Sequence, residues 1–130
     1  MILLDTHVVL WLALDPDRIS KKAAAAIEDT RLSGEGLAIS DMTLLEIALG
    51  ESKRRIQLDA SLETFLTEVE SRFVVLPIAA RVCVSAMALP SAYPKDPADR
   101  VIGATALVEG IVLITADAEI RKSKALRTIW

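Results

Sequence analysis

The 130-residue chain has a single cysteine, Cys83, and a single histidine, His7. One cysteine excludes an intramolecular disulfide framework, zinc sites built from Cys and His are excluded with it, and a reducing, intracellular setting is expected. A Ser-His-Asp or Cys-His nucleophilic system would have to be built on His7 alone. Glycine and proline number only five each beside 52% apolar and 25% charged residues, which argues against disorder, collagen-like repeats and low-complexity segments. The longest apolar run, Val8 to Leu14, falls far short of the roughly 20 residues that cross a bilayer. The N-terminus Met1-Ile2-Leu3-Leu4-Asp5 lacks the basic segment of a signal peptide, so a cytoplasmic protein with no membrane contact is expected. There is no excess of basic residues either: 15 Lys and Arg stand against 18 Asp and Glu, for a net charge of −3. No overall basic field advertises nucleic acid, although an average can hide an acidic site beside basic patches.

What is present reads as one folded domain over residues 1–130, a length that leaves no room for a separate substrate lobe. Met1 to Leu4 predicts a strand buried on both faces, and a helix follows over Thr6 to Leu14 until Asp15-Pro16-Asp17 breaks it. Ser20 caps an alanine-rich helix to about Thr30, Leu37 to Ile39 is a second strand, and Ser40-Asp41 opens a helix that carries Glu46. Helical spacing returns over Ser61 to Ser71, a strand over Phe73 to Leu76 and a helix over Ala79 to Leu89. Asp96-Pro97 opens a further helix that Gly110 ends. Ile111 to Thr115 is the clearest strand, a short helix follows Asp117, and Leu126 to Ile129 adds an edge strand. This alternation predicts an α/β fold with a mostly parallel central sheet and helices on both faces.

In such a sheet ligands bind at the carboxyl ends of the strands, and acids fall there. Asp5 ends the first strand, Asp117 follows the strand Ile111 to Thr115, Asp99 lies in the first turn of the preceding helix, and Glu46 is about two turns into the helix after the second strand. Capping accounts for Asp5 and Asp117 equally well, and Asp99 suits a helix dipole. Glu46, set among Leu44, Leu45, Ile47 and Ala48, is harder to explain that way. Two like charges 4 Å apart repel by about 4 kcal/mol at an effective dielectric near 20. Convergence of these four therefore requires raised pKa values or a hard divalent cation, and oxygen-only donors suit Mg²⁺ or Mn²⁺.

Leu4-Asp5-Thr6-His7, Ser40 to Ala48 around Glu46, Asp96-Pro97-Ala98-Asp99-Arg100 and Leu113 to Asp117 together resemble the PIN-domain family, and within it the VapC toxins of bacterial toxin–antitoxin pairs. The resemblance covers essentially the whole chain, in order and at the family's spacing. It implies a single PIN-like domain and a metal-dependent ribonuclease with Asp5, Glu46, Asp99 and Asp117 as its acidic quartet. Asp5 and Asp99 would be the direct ligands of Mg²⁺ or Mn²⁺, with Glu46 and Asp117 completing the site directly or through water. Thr6 and Thr115 match the hydroxyl residues the family places beside its acids, and Asp96 matches a further acid whose role as N-cap suffices here. Homodimers and a small antitoxin that blocks the site are also implied, with structured RNA such as transfer RNA a first candidate substrate.

Arg100 is placed to reach a phosphate or brace a carboxylate, or else to lie solvated. Lys53-Arg54-Arg55 reads as RNA-backbone contact or as an exposed helix end. His7 suits a helix face, and Trp11 the core or a dimer interface. A receiver-type phosphoacceptor would need adjacent acids where Thr6 follows Asp5, and a haloacid-dehalogenase-type phosphatase would need an acid where the chain has His7. A degenerate PIN-like module that only binds protein or RNA is the alternative from another class. The mean hydropathy of +0.41 exceeds what so small a domain readily buries alone, so partner chains are expected to cover apolar surface.

Overall fold

The computed structural model describes residues 1–130. Five strands, β1 (Ile2–Leu4), β2 (Leu37–Ser40), β3 (Val74–Leu76), β4 (Val112–Ile114) and β5 (Thr128–Ile129), form one sheet in the order β3-β2-β1-β4-β5. Every neighbouring pair is parallel, so the sheet is wholly rather than mostly parallel. Seven helices join the strands: α1 (Thr6–Leu14), α2 (Lys21–Leu32), α3 (Asp41–Ser52), α4 (Leu62–Arg72), α5 (Ala80–Ala88), α6 (Pro97–Glu109) and α7 (Ala118–Ser123). A 3-10 turn at Pro16–Arg18 follows α1.

The central strands β1 and β4 are apolar at every position, and β2 at all but its last, Ser40, because both faces are covered. Ile2 and Leu4 pack on one side with Ile39, Ala23, Ile27, Ile47, Phe65 and Val69, whereas Leu3 packs on the other with Leu113, Ile102, Ala106 and Ile120. A separate small core of Val82, Ala86 and Ala104 fastens α5 to α6. The helix starts follow local chemistry: the hydroxyls of Ser20, Ser40 and Ser61 accept from the amides of Ala23, Met42 and Thr64. Gly110 ends α6 in the left-handed region at φ 65°. No helix is long and apolar enough to cross a membrane.

The strand order has a functional consequence. From β1 the chain builds outward to β2 and β3, then returns to add β4 and β5 on the opposite side. The switch lies between β1 and β4, where adjacent connections diverge and leave a crevice at the carboxyl edge. Asp5 follows β1 and Thr115 follows β4 at that crevice, and the Asp5 amide donates to the carbonyl of Ile114.

Candidate active site

Asp5 is buried, and both its oxygens are held. Oδ1 accepts from the Thr6 amide at 2.8 Å and Oδ2 from the Thr115 hydroxyl at 2.7 Å. The cap expected of Asp5 therefore forms, and it coexists with the crevice position. Burial raises the pKa of Asp5, the bonds from Thr115 and Thr6 oppose that rise, and Asp117 adds a smaller upward push.

Glu46 reaches the same crevice from α3. Its Oε1 accepts from the Thr6 hydroxyl, which lies 3.0 Å from the hydroxyl of Thr43. A threonine hydroxyl has one proton, so with Thr6 donating to Glu46 the remaining bond is donated by Thr43. Thr6 thus ties two acids together, Asp5 through its amide and Glu46 through its side chain. Burial raises the Glu46 pKa, with Asp5 and Asp96 adding to the rise. Thr43 was not singled out in the sequence; the signal was its place one helical turn before Glu46, on the same face.

Asp99 lies in the first turn of α6, and its carboxyl is pushed from 3.8 up to about 7, by burial first and then by Asp5, Asp96, Asp117 and Glu46. Tyr93 holds this turn in place: its buried hydroxyl donates to the Asp99 carbonyl at 2.8 Å. Gly103 makes room for that ring, since a methyl group there would overlap the Tyr93 hydroxyl. Neither residue stands out in the sequence except that Tyr93 is the sole tyrosine. Asp117 caps α7, its Oδ1 accepting from the amides of Glu119 and Ile120, while its own amide donates to the Thr115 hydroxyl at 3.1 Å.

Two expectations change. Asp96 occupies the N-cap position of α6, yet its side chain makes no capping bond. Its carboxylate instead adds to the field on Glu46 and Asp99, so capping does not account for it. Arg100 is in no ion pair with a carboxylate; its Nη1 donates to the carbonyl of Ala86 at 3.1 Å and, more weakly, to that of Leu89 at 3.5 Å. It braces the end of α5, whose last carbonyls have no helical partner.

Five acids thus act on one another, and none is in an ion pair with Lys or Arg. No three His, Cys, Asp or Glu side chains are arranged so that they could hold a metal ion among themselves. The donor chemistry nonetheless fits a hydrated hard cation, since Mg²⁺ retains several waters and takes only one or two carboxylates directly.

Residues 2–126 match the PIN domain family. Over 131 aligned residues, 99% of this chain and 98% of the relative, the sequence is 36% identical to ribonuclease VapC22 of Mycobacterium tuberculosis. The fold is similar to that in VapBC2 from Rickettsia felis bound to a DNA fragment from their promoter, with a TM-score of 0.72 at 19% identity, covering 98% of this chain and 97% of that one. It is also similar to VapBC-1 from nontypeable Haemophilus influenzae, with a TM-score of 0.72 at 22% identity, covering 98% and 96%. At those identities the likeness to the two structures is one of fold.

Proposed function

Since this chain belongs to the PIN-domain family, we propose that it is a Mg²⁺- or Mn²⁺-dependent endoribonuclease, the toxin of a toxin–antitoxin pair, with Asp5, Glu46, Asp99 and Asp117 as its catalytic carboxylates. The observation that carries this reading is geometric: Thr6 and Thr115 hold the carboxylates of Asp5 and Glu46 together at the β1/β4 crevice, where burial raises the pKa of Asp5, Glu46 and Asp99 and no Lys or Arg pairs with them. Buried carboxylates gathered in a crevice without a cationic side chain suit a hard divalent cation.

Asp5 and Asp99 would hold the ion, with Glu46 and Asp117 completing the set directly or through water. Such an ion supplies Lewis acidity and orients the scissile phosphate. Thr6 and Thr115 keep the Asp5 carboxylate at one orientation, and Thr6 keeps Glu46 beside it. The Tyr93 hydroxyl fixes the backbone from which Asp99 projects. Glu46, with its pKa raised, is suited to take up a proton as the phosphodiester is attacked.

The partner reading rests on exposed apolar side chains. Val84 and Met87 on α5 are 71% and 73% exposed, and Leu45 on α3 is also open. We assign one such face to a second copy of the chain and the other to an antitoxin helix, whose Arg or Lys would pair with the acids. Transfer RNA is the first substrate to try, in a protein acting in the cytoplasm.

The test is RNA cleavage by purified chain with Mg²⁺ or Mn²⁺, abolished by excess EDTA. Cleavage that persists in chelator overturns the metal mechanism. In bacteria, expression of the chain alone should arrest growth, Asp5→Asn or Asp99→Asn should relieve the arrest, and the small neighbouring reading frame should restore growth. Normal growth with well-expressed, folded chain would favour the degenerate binding module.

A further inference from the structure

A groove of about 530 Å³ opens from the Thr6 and Glu46 side of the acid crevice and runs between α1 and the end of α3. Its two walls are helix stripes. His7, Leu10, Trp11 and Leu14 face it from α1, and Glu46, Leu49, Gly50 and Lys53 face it from α3, each set spaced i, i+3, i+4, i+7. Three cations line it beyond the acids: Arg18, Lys53 and Arg55. All three are exposed, and none is in an ion pair. Arg18 is held over the ring of Trp11, 4.5 Å from its centroid.

The far end of the groove is built with care. Arg54 sits in the left-handed region at φ 57°, the Arg55 amide donates to the Gly50 carbonyl at 2.8 Å and the Arg54 amide to the Glu51 carbonyl at 3.0 Å. This is the Schellman ending of a helix. Ile56 folds back over Gly50, where any Cβ would overlap it. The turn carries Lys53 and Arg55 into the groove lining while Arg54 stays outside it. Measured along α3, Glu46 and Lys53 are seven residues and about 10 Å apart.

We propose that this groove is the track of the substrate strand: a single-stranded segment of RNA lies along it with its phosphates on Arg18, Lys53 and Arg55 and enters the acid crevice past Glu46. The assignment rests on the ribonuclease reading above. Three exposed cations without an ion-pair partner, against one further acid in the lining, Asp15, lead away from acids that must receive a phosphodiester and so complement a polyanion. The carboxylates repel the same strand until a cation neutralises them, so the basic walls are needed to hold it there.

The test measures binding of a labelled single-stranded RNA of mixed sequence to the full chain, in excess EDTA, over a series of salt concentrations. Each phosphate contact on a single strand contributes about 0.7 to the slope of log affinity against log salt. The combined variant Arg18→Gln, Lys53→Gln, Arg55→Gln is expected to lower that slope by about 2, whereas Arg54→Gly, which suits the left-handed turn and removes a charge outside the groove, leaves it unchanged. Circular dichroism of both variants establishes that they are folded. An unchanged slope in the folded triple variant, with wild-type chain still cleaving RNA in Mg²⁺, overturns the groove and leaves the ribonuclease reading standing. Loss in the triple variant of binding to a polypeptide partner, with RNA binding intact, overturns it equally. Wild-type chain that neither binds nor cleaves RNA overturns both.

Discussion

The hydroxyl of Thr6 donates to the carboxylate of Glu46, joining the first residue of α1 to the middle of α3. Because the Thr6 amide also donates to Asp5, one residue sets the relative position of two acids that repel each other. The Thr43 hydroxyl completes the chain from behind.

Thr6→Val keeps the shape of the side chain and removes this link. Glu46 is then free to swing, and Thr43 loses a buried partner. We expect RNA cleavage to fall by tenfold or more and stability by about 1–3 kcal/mol. Thr43→Val should have a smaller effect on cleavage, and the double variant should cost less than the sum of the two, since both act through one chain of bonds. Full additivity in kinetics and in denaturant melts would overturn the shared role.

Asp99 makes stability depend on pH in an unusual direction. Its carboxyl titrates near 7 in the folded chain against 3.8 as the ordinary value, so between these values the folded state binds more protons than the unfolded. Stability in EDTA therefore falls as pH rises from 3.8 towards 7. Glu46 and Asp5, also raised, act in the same sense. Asp99→Asn should flatten this fall and raise the Tm at neutral pH while abolishing cleavage. Mg²⁺ should raise the wild-type Tm more at pH 7 than at pH 4. A lower neutral Tm for Asp99→Asn would mean that the helix-terminus interaction outweighs the repulsion.

Gly103→Ala places a methyl group against the Tyr93 ring and within 3.2 Å of Leu126. The ring cannot move without giving up its bond to the Asp99 carbonyl. Overpacking of this kind costs about 1–3 kcal/mol, and activity should fall with it because the turn bearing Asp99 shifts. Tyr93→Phe removes only the hydrogen bond and should cost about 1 kcal/mol. Thermal melts and cleavage rates of both variants test this, and a neutral Gly103→Ala would contradict the close fit.

Arg100→Gln separates a brace from an RNA contact. Its guanidinium serves the carbonyls at the end of α5, so the variant should melt at a lower temperature while the salt dependence of RNA binding stays as in wild type. A reduced salt slope with an unchanged Tm would return Arg100 to the phosphate.

Much of this protein was legible in its sequence because the relevant physics is local. Apolar runs with no alternation marked β1, β2 and β4 as strands buried on both faces, as their side chains are. Ser20, Ser40, Ser61 and Gly110 sit where helices begin and end, and they do so by bonds or backbone angles spanning only a few residues. The acids at strand ends and in a first helical turn could be named for the same reason. Tertiary structure decided the rest, because it depends on which distant segments meet. The pairing of β1 with both β2 and β4 is what brings Asp5 beside Thr115 and sets α3 alongside α1, so that Thr6 reaches Glu46. Asp96 is at a capping position by sequence but makes no cap, and its carboxylate instead acts on Asp99 and, from across the crevice, on Glu46 in α3. Arg100 could not be placed from its neighbours in the chain, because the carbonyls it satisfies, those of Ala86 and Leu89 at the end of α5, lie fourteen and eleven residues earlier. The two groove stripes were each present at helical spacing, yet only the side-by-side placement of α1 and α3 turns them towards one another. Hydrophobic burial along each segment is written into the sequence one residue at a time, whereas a site is a relation among segments and exists only after the sheet has closed.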